Sequence, residues 1–91
     1  MEQNQLISEV AKEAGINEEE ASKIIEVFIE TIKEGLSRGE KVTISGFGTF
    51  SLAKRKPMNF LNPKTKKIHA IPERLMPFFK AGRDFQNRVR K

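Results

Sequence analysis

The segment Val42-Thr43-Ile44-Ser45-Gly46-Phe47-Gly48-Thr49-Phe50-Ser51-Leu52 decides the fold, because the hydrophobic period changes to two within it. Apolar side chains alternate with threonine and serine on both sides of Gly46-Phe47-Gly48, which predicts two antiparallel strands joined by a tight connection. This alternation gives the hairpin one apolar face. The helical patterns that precede the segment can supply a cover for that face.

Two amphipathic helices are predicted before the hairpin. Asn4 is the expected N-cap of the first helix, and Gly15 is expected to end it. Asn17 would cap the second helix with Glu20 completing a capping box, and Arg38-Gly39 would end it. The second helix carries an apolar stripe too wide for one short neighbour, so we expect a second copy of the chain to cover the remainder. The stripe comprises Ala21, Ile24, Ile25, Phe28, Ile29, Ile32 and Leu36.

A second hairpin, rich in lysine, is predicted after the first. Asn62-Pro63 marks its turn, since Asn suits position i and Pro position i+1 of a type I turn. The returning strand is expected over 66–71 and would end at Pro72. This hairpin has too few apolar side chains to form a core, so it should protrude as an arm.

These elements predict an α+β fold: two N-terminal helices, a three-stranded antiparallel sheet extended into a protruding β-hairpin arm, and a short C-terminal helix. That last helix is expected over about 83–90, with Phe85 and Val89 on its inner side. A chain of 91 residues suits a single domain. Its expected parts are a helical dimerisation body over 1–40, a sheet over 41–82 with the arm at about 53–72, and the C-terminal helix over 83–91.

Charge is divided sharply along the chain. Residues 1–40 hold four basic and ten acidic side chains, a net charge of −6, whereas residues 41–91 hold thirteen basic and two acidic ones, a net charge of +11. No carboxylate occurs between Lys41 and Pro72. A solvated surface normally mixes both signs, so the second half of the chain predicts a polyanionic partner.

Several classes of protein are unlikely from composition alone. The absence of cysteine excludes disulfides and cysteine-ligated zinc, and His69 is the single histidine, so neither a metal site nor an enzyme is expected. The apolar runs are too short for a membrane span, and no small-molecule substrate is expected. The N-terminus lacks the pattern of a secretory signal, which favours a cytoplasmic location.

A set of short motifs carries a family resemblance. At their separations along the chain they resemble the HU/integration host factor family of bacterial histone-like DNA-binding proteins. The resemblance implies an intertwined homodimer or heterodimer in the nucleoid, without a cofactor, whose two β arms reach around DNA in the minor groove. The motifs are Gly46-Phe47-Gly48-Thr49-Phe50, Asn62-Pro63, Ile71-Pro72 and Pro77-Phe78-Phe79-Lys80-Ala81-Gly82. The expected dimer core comprises Ile25, Phe28, Ile29, Ile32, Phe47, Phe50 and Phe79.

The same resemblance implies which residues contact DNA. Arg55 matches an arginine of the family's arm, Asn62-Pro63 matches the arm tip, and Lys80 and Arg83 match basic positions before the last helix. Pro63 would act as a wedge that enters a base step and kinks the duplex. The glycines of Gly46-Phe47-Gly48 would either present backbone N–H groups to phosphate or serve only to turn the chain. The full expected set is Lys54, Arg55, Lys56, Asn62, Pro63, Lys64, Lys66, Lys67, Lys80 and Arg83.

The arm departs from the family pattern, which usually has arginine and glycine at several of its positions. Lys66 stands where a glycine normally follows the tip, so either Lys66 adopts a left-handed conformation at a cost of about 1–2 kcal/mol or the tip forms a different turn. Apolar residues would contact base steps, sugars or another protein, and we favour contact with DNA. The departures are Ala53, Met58, Phe60, Leu61 and Lys66.

The predicted function is therefore an architectural double-stranded DNA-binding protein that bends or wraps DNA with little sequence preference, as in nucleoid organisation and condensation. One alternative is a sequence-preferring DNA-bending cofactor of transcription or recombination. Another is a module whose arm serves protein or RNA interaction. Phe60 is the only clear candidate for base stacking in the arm, which counts against RNA.

Overall fold

The computed structural model describes residues 1–90 and confirms the α+β class, with three helices and two antiparallel sheets. None of its helices combines the length and the apolar character that a membrane span requires within this described part of the chain. The elements, in chain order, are α1 Gln3–Ala14, α2 Glu18–Ser37, β1 Val42–Ile44, β2 Gly48–Arg55, β3 Met58–Leu61, β4 Ile68–Ile71, β5 Arg74–Ala81 and α3 Arg83–Val89.

The chain forms two compact units, of which the first is Met1–Gly35. Its small core contains Ile7, Ala11 and Ala21, with further apolar side chains packed around them. Helix α1 begins earlier than predicted, because the Leu6 N–H donates to the Glu2 carbonyl (3.0 Å) and extends the helix past the expected cap. Asn4 therefore lies inside α1 and is not its N-cap.

The connection between the two helices follows the sequence prediction. Gly15 ends α1 in the left-handed region, with φ +69°, and the Ile16 N–H donates to the Ala11 carbonyl (3.0 Å) as in a Schellman motif. Asn17 then caps α2: its Oδ1 accepts from the Glu20 N–H (2.8 Å), and its amide donates to the Glu20 carboxylate (3.0 Å). The first contact is the predicted cap, whereas the second joins the two side chains and does not engage the Asn17 backbone N–H of a capping box.

The second unit begins at Leu36 and contains both sheets and α3. Its three-stranded sheet has the order β1-β2-β5, so β2 lies in the centre between two antiparallel neighbours. Strand β5 contains Pro77, which cannot donate a backbone hydrogen bond and is tolerated because β5 is an edge strand of this sheet. The hairpin predicted from the change of period is confirmed as β1 and β2.

One face of this sheet carries an aromatic cluster. The rings of Phe50 and Phe79, which are paired in register across β2 and β5, have centroids 4.7 Å apart. Phe47 lies 5.0 Å from Phe79 and stacks at 5.0 Å on Phe85 of α3. The cluster joins the turn, the central strand, the edge strand and the last helix.

The inner side of α3 is only partly as predicted. Phe85 joins the aromatic cluster, but the Val89 side chain is 62% exposed in the isolated chain. Val89 is the last residue of α3, and the backbone of Arg90 is already extended. Val89 therefore lies at the exposed end of α3 in the isolated chain.

The two glycines of the central turn have different roles. Gly46 has a φ of +78°, in a turn that is closed by a hydrogen bond from the Phe47 N–H to the Ile44 carbonyl (3.0 Å). Gly48 is the first residue of β2, and a Cβ atom there would lie 2.5 Å from the Lys80 carbonyl oxygen and 2.6 Å from the Phe79 ring. Gly48 is therefore required by close packing.

Replacing Gly48 with alanine should destabilise the sheet, because backbone and a packed ring must move to accept the methyl group. We expect Gly48→Ala to cost about 1–3 kcal/mol and to lower the melting temperature by at least about 5 °C, measured by circular dichroism. Gly82→Ala is the matched control, since Gly82 has a negative φ and its new Cβ would make an ordinary 3.4 Å contact. Equal melting temperatures for the two variants would contradict this account.

Candidate nucleic-acid interface

The face of the three-stranded sheet opposite the aromatic cluster carries cationic side chains. Strand alternation places Phe50 and Phe79 on one face and the neighbouring pair Thr49 and Lys80 on the other. By the same alternation Arg55 and Arg74 lie on the Lys80 face, and all three cations are exposed. The sheet therefore collects positive charge on the face that its core does not use.

Arg55 and Arg74 face each other across the end of this sheet. The register pairs them directly across β2 and β5, and like charges in that arrangement destabilise a sheet. The nearby carboxylate of Glu73 forms an ion pair with Lys54 (Nζ–Oε1 3.1 Å), and Lys54 alternates onto the opposite face of β2. A bound anion between the two arginines would relieve their repulsion.

The arm is a separate two-stranded antiparallel sheet, β3 paired with β4. It is joined to the three-stranded sheet through short links at Lys56-Pro57 and Pro72-Glu73, where strand structure is interrupted. All of β3 and most of β4 are exposed. The predicted arm is thus confirmed as an exposed hairpin, and β4 begins at Ile68 instead of the expected Lys66.

The arm tip is organised by Asn62. Its Oδ1 accepts from the N–H groups of Lys64 (2.9 Å) and Thr65 (3.4 Å), and its carbonyl accepts from the Lys66 N–H (2.7 Å). The predicted turn is present, but closure to Lys66 makes it one residue longer than a four-residue type I turn. Pro63, the next residue, is exposed at the end of the arm.

Lys66 adopts the left-handed conformation, which is one of the two alternatives predicted from the sequence. Its φ is +58°, which makes it the only non-glycine residue with positive φ in residues 1–90. The Asn62 N–H donates to the Lys67 carbonyl (3.0 Å), so the loop closes immediately after Lys66. The tip thus retains the backbone path of a glycine while presenting a lysine, at a cost of about 1–2 kcal/mol.

The predicted contact residues fall into two groups. Lys54 and Arg55 end β2, Lys56 follows them, and Lys80 lies on β5 with Arg83 starting α3. The tip group is separated from these by β3 and β4, each of four residues and therefore about 13 Å long. It comprises Asn62, Pro63, Lys64, Lys66 and Lys67.

Sequence reasoning missed Arg74. The residues between Arg74 and Lys80 are apolar on both faces of the strand, so no alternation of polar and apolar residues marks this segment. The pairing of β2 with β5 places Arg74 on the face of Arg55.

Two further features of the second unit bear on its chemistry. The Phe47 N–H donates to the Ile44 carbonyl, and the Phe47 carbonyl accepts from the Gly82 N–H (2.8 Å), so both backbone groups of Phe47 are engaged within the chain. Gln86 donates to the Ala81 carbonyl (2.9 Å) and fixes the start of α3. No group of three or more metal-ligating side chains is assembled within residues 1–90.

Comparison with known proteins gives consistent matches. The family model described as bacterial DNA-binding protein matches residues 1–90. The DNA-binding protein HU of Thermotoga maritima is 41% identical over 90 residues, covering 99% of this chain and all of that protein. The HU protein of Clostridium pasteurianum is 36% identical over 91 residues and covers both chains completely.

Solved structures agree with these sequence matches. A cocrystal structure of Anabaena HU with DNA superposes with a TM-score of 0.92 at 37% identity, covering 98% of this chain and 97% of that one. The structure of Thermotoga maritima HU gives a TM-score of 0.70 at 31% identity, covering 99% of this chain and all of that one.

Proposed function

The chain belongs to the bacterial DNA-binding protein family, and on that premise we propose that it is an architectural protein that bends or wraps double-stranded DNA. The binding would follow the minor groove and depend on phosphate charge and duplex deformability more than on base sequence. Such a role is structural and requires neither catalysis nor a cofactor. It would place the protein on the nucleoid.

The observation that carries the proposal is the pairing of Arg55 with Arg74 on the face that also bears Lys80. A cross-strand pair of like charges costs stability unless an anion lies between or above it. Regularly spaced phosphates supply such anions on both sides of a groove. The lysines at the tip likewise need anions to neutralise them at the far end of the arm.

Pro63 is the proposed wedge. It is exposed at the arm tip, and Asn62 holds the tip backbone through four hydrogen bonds. An apolar ring carried on a fixed turn can enter a base step from the minor groove and unstack it. The cost of a few kcal/mol per step is a general figure for minor-groove proteins, this family among them, and the wrapped contacts offset it.

We also propose that the functional unit is a dimer, formed by two identical or two related chains. Helix α2 leaves large apolar side chains exposed in the isolated chain, including Phe28 at 51% and Ile29 at 40%. An exposed apolar face of this size marks an interaction surface. We assign Ile25, Phe28, Ile29 and Ile32 of α2, together with Phe47, Phe50 and Phe79 of the aromatic cluster, to the dimer core.

Salt dependence tests the DNA-binding proposal. The logarithm of the binding constant for a duplex should fall linearly with the logarithm of salt concentration, by about 0.9 for each phosphate neutralised. Arg74→Gln should reduce this slope by about 0.9 for each Arg74 that contacts a phosphate. Lys12→Gln, which removes an exposed cation from α1, should leave it unchanged. A flat salt dependence of the wild-type protein, measured by fluorescence anisotropy, would refute the proposal.

Bending tests the wedge separately from binding. Pro63→Ala should reduce the bend angle, measured by energy transfer between dyes at the two duplex ends, because no ring then enters the base step. Its affinity for a duplex already nicked at the bend should fall much less. Pro77→Ala, on edge strand β5, is the matched control. Equal bending by Pro63→Ala and the wild type would remove Pro63 from the mechanism.

Sedimentation tests the dimer. The wild-type protein should sediment at about twice the chain mass of 10.4 kDa. Phe28→Asp should shift it toward monomer or unfold it, because a carboxylate would be buried in the dimer core. Lys12→Asp introduces the same side chain at an exposed position of α1 and should remain a dimer. A stable, folded wild-type monomer would contradict the assignment of the α2 face.

A further inference from the structure

The middle of the arm carries no formal charge. No Lys, Arg, Asp or Glu occurs between Lys56 and Lys64 on the outgoing strand, or between Lys67 and Glu73 on the returning one. The same stretch exposes large apolar side chains, which are Met58 at 52%, Phe60 at 49%, Leu61 at 60% and Ile68 at 70%. The arm is therefore cationic at its base and at its tip and apolar between them.

Both faces of this middle expose large apolar side chains, and each face carries one polar exception, Asn59 or His69. The register pairs Met58 with Ile71 on the same face as Phe60, and it pairs Leu61 with Ile68 on the other. A hairpin that covered a core would bury one face and present a polar one to water. Here each face exposes apolar side chains, so the pattern fits a ribbon that enters a partner's groove.

We propose that this apolar middle, Met58–Leu61 with Ile68–Ile71, contacts the walls of the DNA minor groove and contributes binding that salt does not weaken. This inference rests on the proposed function and states which part of the arm contacts the groove walls. The minor groove of undistorted DNA is about 6 Å wide and must widen to admit a two-stranded ribbon, as a kink in the duplex allows, and its walls expose the carbon atoms of the sugars. The arm middle, at about 13 Å, spans about four base pairs at 3.4 Å each.

Charge at the two ends of the arm identifies the partner. Arg55 and Arg74 at the base and the tip lysines Lys64, Lys66 and Lys67 favour a polyanion at both ends, and no carboxylate lies between Lys41 and Pro72 to repel one. A polyanion held at both ends of a ribbon must run along its middle. A duplex presents phosphate at the rims of a groove and apolar sugar within it, which matches this division.

Salt separates the two kinds of contact. Contacts between lysine or arginine and phosphate release counterions, so they determine the slope of log K against log salt. Apolar contact scales with the area removed from water and leaves that slope unchanged. Removing apolar side chains should therefore lower the whole line in parallel, whereas removing cations should change its slope.

The test is the double variant Phe60→Thr/Ile68→Thr, which changes one side chain on each face and retains residues that favour strands. We expect binding to a duplex to weaken roughly tenfold or more at every salt concentration, with the wild-type slope. Lys66→Gln/Lys67→Gln should instead reduce the slope. Leu75→Thr is the matched control, because Leu75 is 62% exposed on β5 outside the arm and should bind as the wild type does.

Folding of the arm is measured in the same samples. Cross-strand NMR contacts between residues 60 and 69 should persist in the double variant; if they vanish, the single variant Leu61→Thr replaces it. Weaker binding with an intact ribbon and an unchanged slope supports the inference. Wild-type affinity with an intact ribbon overturns it, as does a loss of affinity that appears only when the ribbon is disordered.

Different measurements test the inference and the proposed function. The wild-type salt titration decides whether the protein binds DNA through phosphate charge. If that titration is steep and the double variant binds as the wild type does, the proposed function stands and the arm middle has another role. A protein that binds the wild-type arm and not the double variant would then be its partner.

Discussion

The contact between the Phe79 ring and Gly48 is the constraint on which the rest of the second unit depends. A Cβ atom at position 48 would overlap that ring and the Lys80 carbonyl oxygen, so the glycine favours the register in which β2 and β5 pair. A slip of one residue would move every side chain to the opposite face. The same contact that completes the aromatic cluster therefore fixes Arg55, Arg74 and Lys80 together on the outer face.

This arrangement explains how a chain of 91 residues combines a packed core with a concentrated charge. The even-numbered residues of β2 from Gly48 to Leu52 face the core. The odd-numbered residues face the opposite side, and Arg55 is the last of them. The cations cost little in folding because they lie on exposed strands, apart from the repulsion between Arg55 and Arg74. Under the proposed function, a polyanion bound at both arginines would offset that repulsion, so binding would also stabilise the fold.

Much of this could be predicted from local sequence. The cap formed by Asn17 and Glu20, the left-handed Gly15 and the hairpin around Gly46 follow from rules that involve neighbours along the chain. The Asn4 prediction was wrong because a backbone hydrogen bond from the Leu6 N–H to the Glu2 carbonyl extends the helix by two residues. Composition could not identify Arg74 as a candidate contact residue, because its place beside Arg55 depends on the pairing of β2 with β5.

The apolar pairs in the arm also bear on the arm's own order. An isolated two-stranded ribbon is marginally stable in water, and cross-strand apolar pairs such as Met58 with Ile71 and Leu61 with Ile68 stabilise it. Arginines at those positions would repel each other across the strands until DNA arrived. Because the cations lie at the two ends, the middle of the arm can be ordered before DNA binds. Less conformational entropy is then lost on binding. The strained Lys66 fits this division, because it adds a charge at the tip while its backbone follows the path of a glycine.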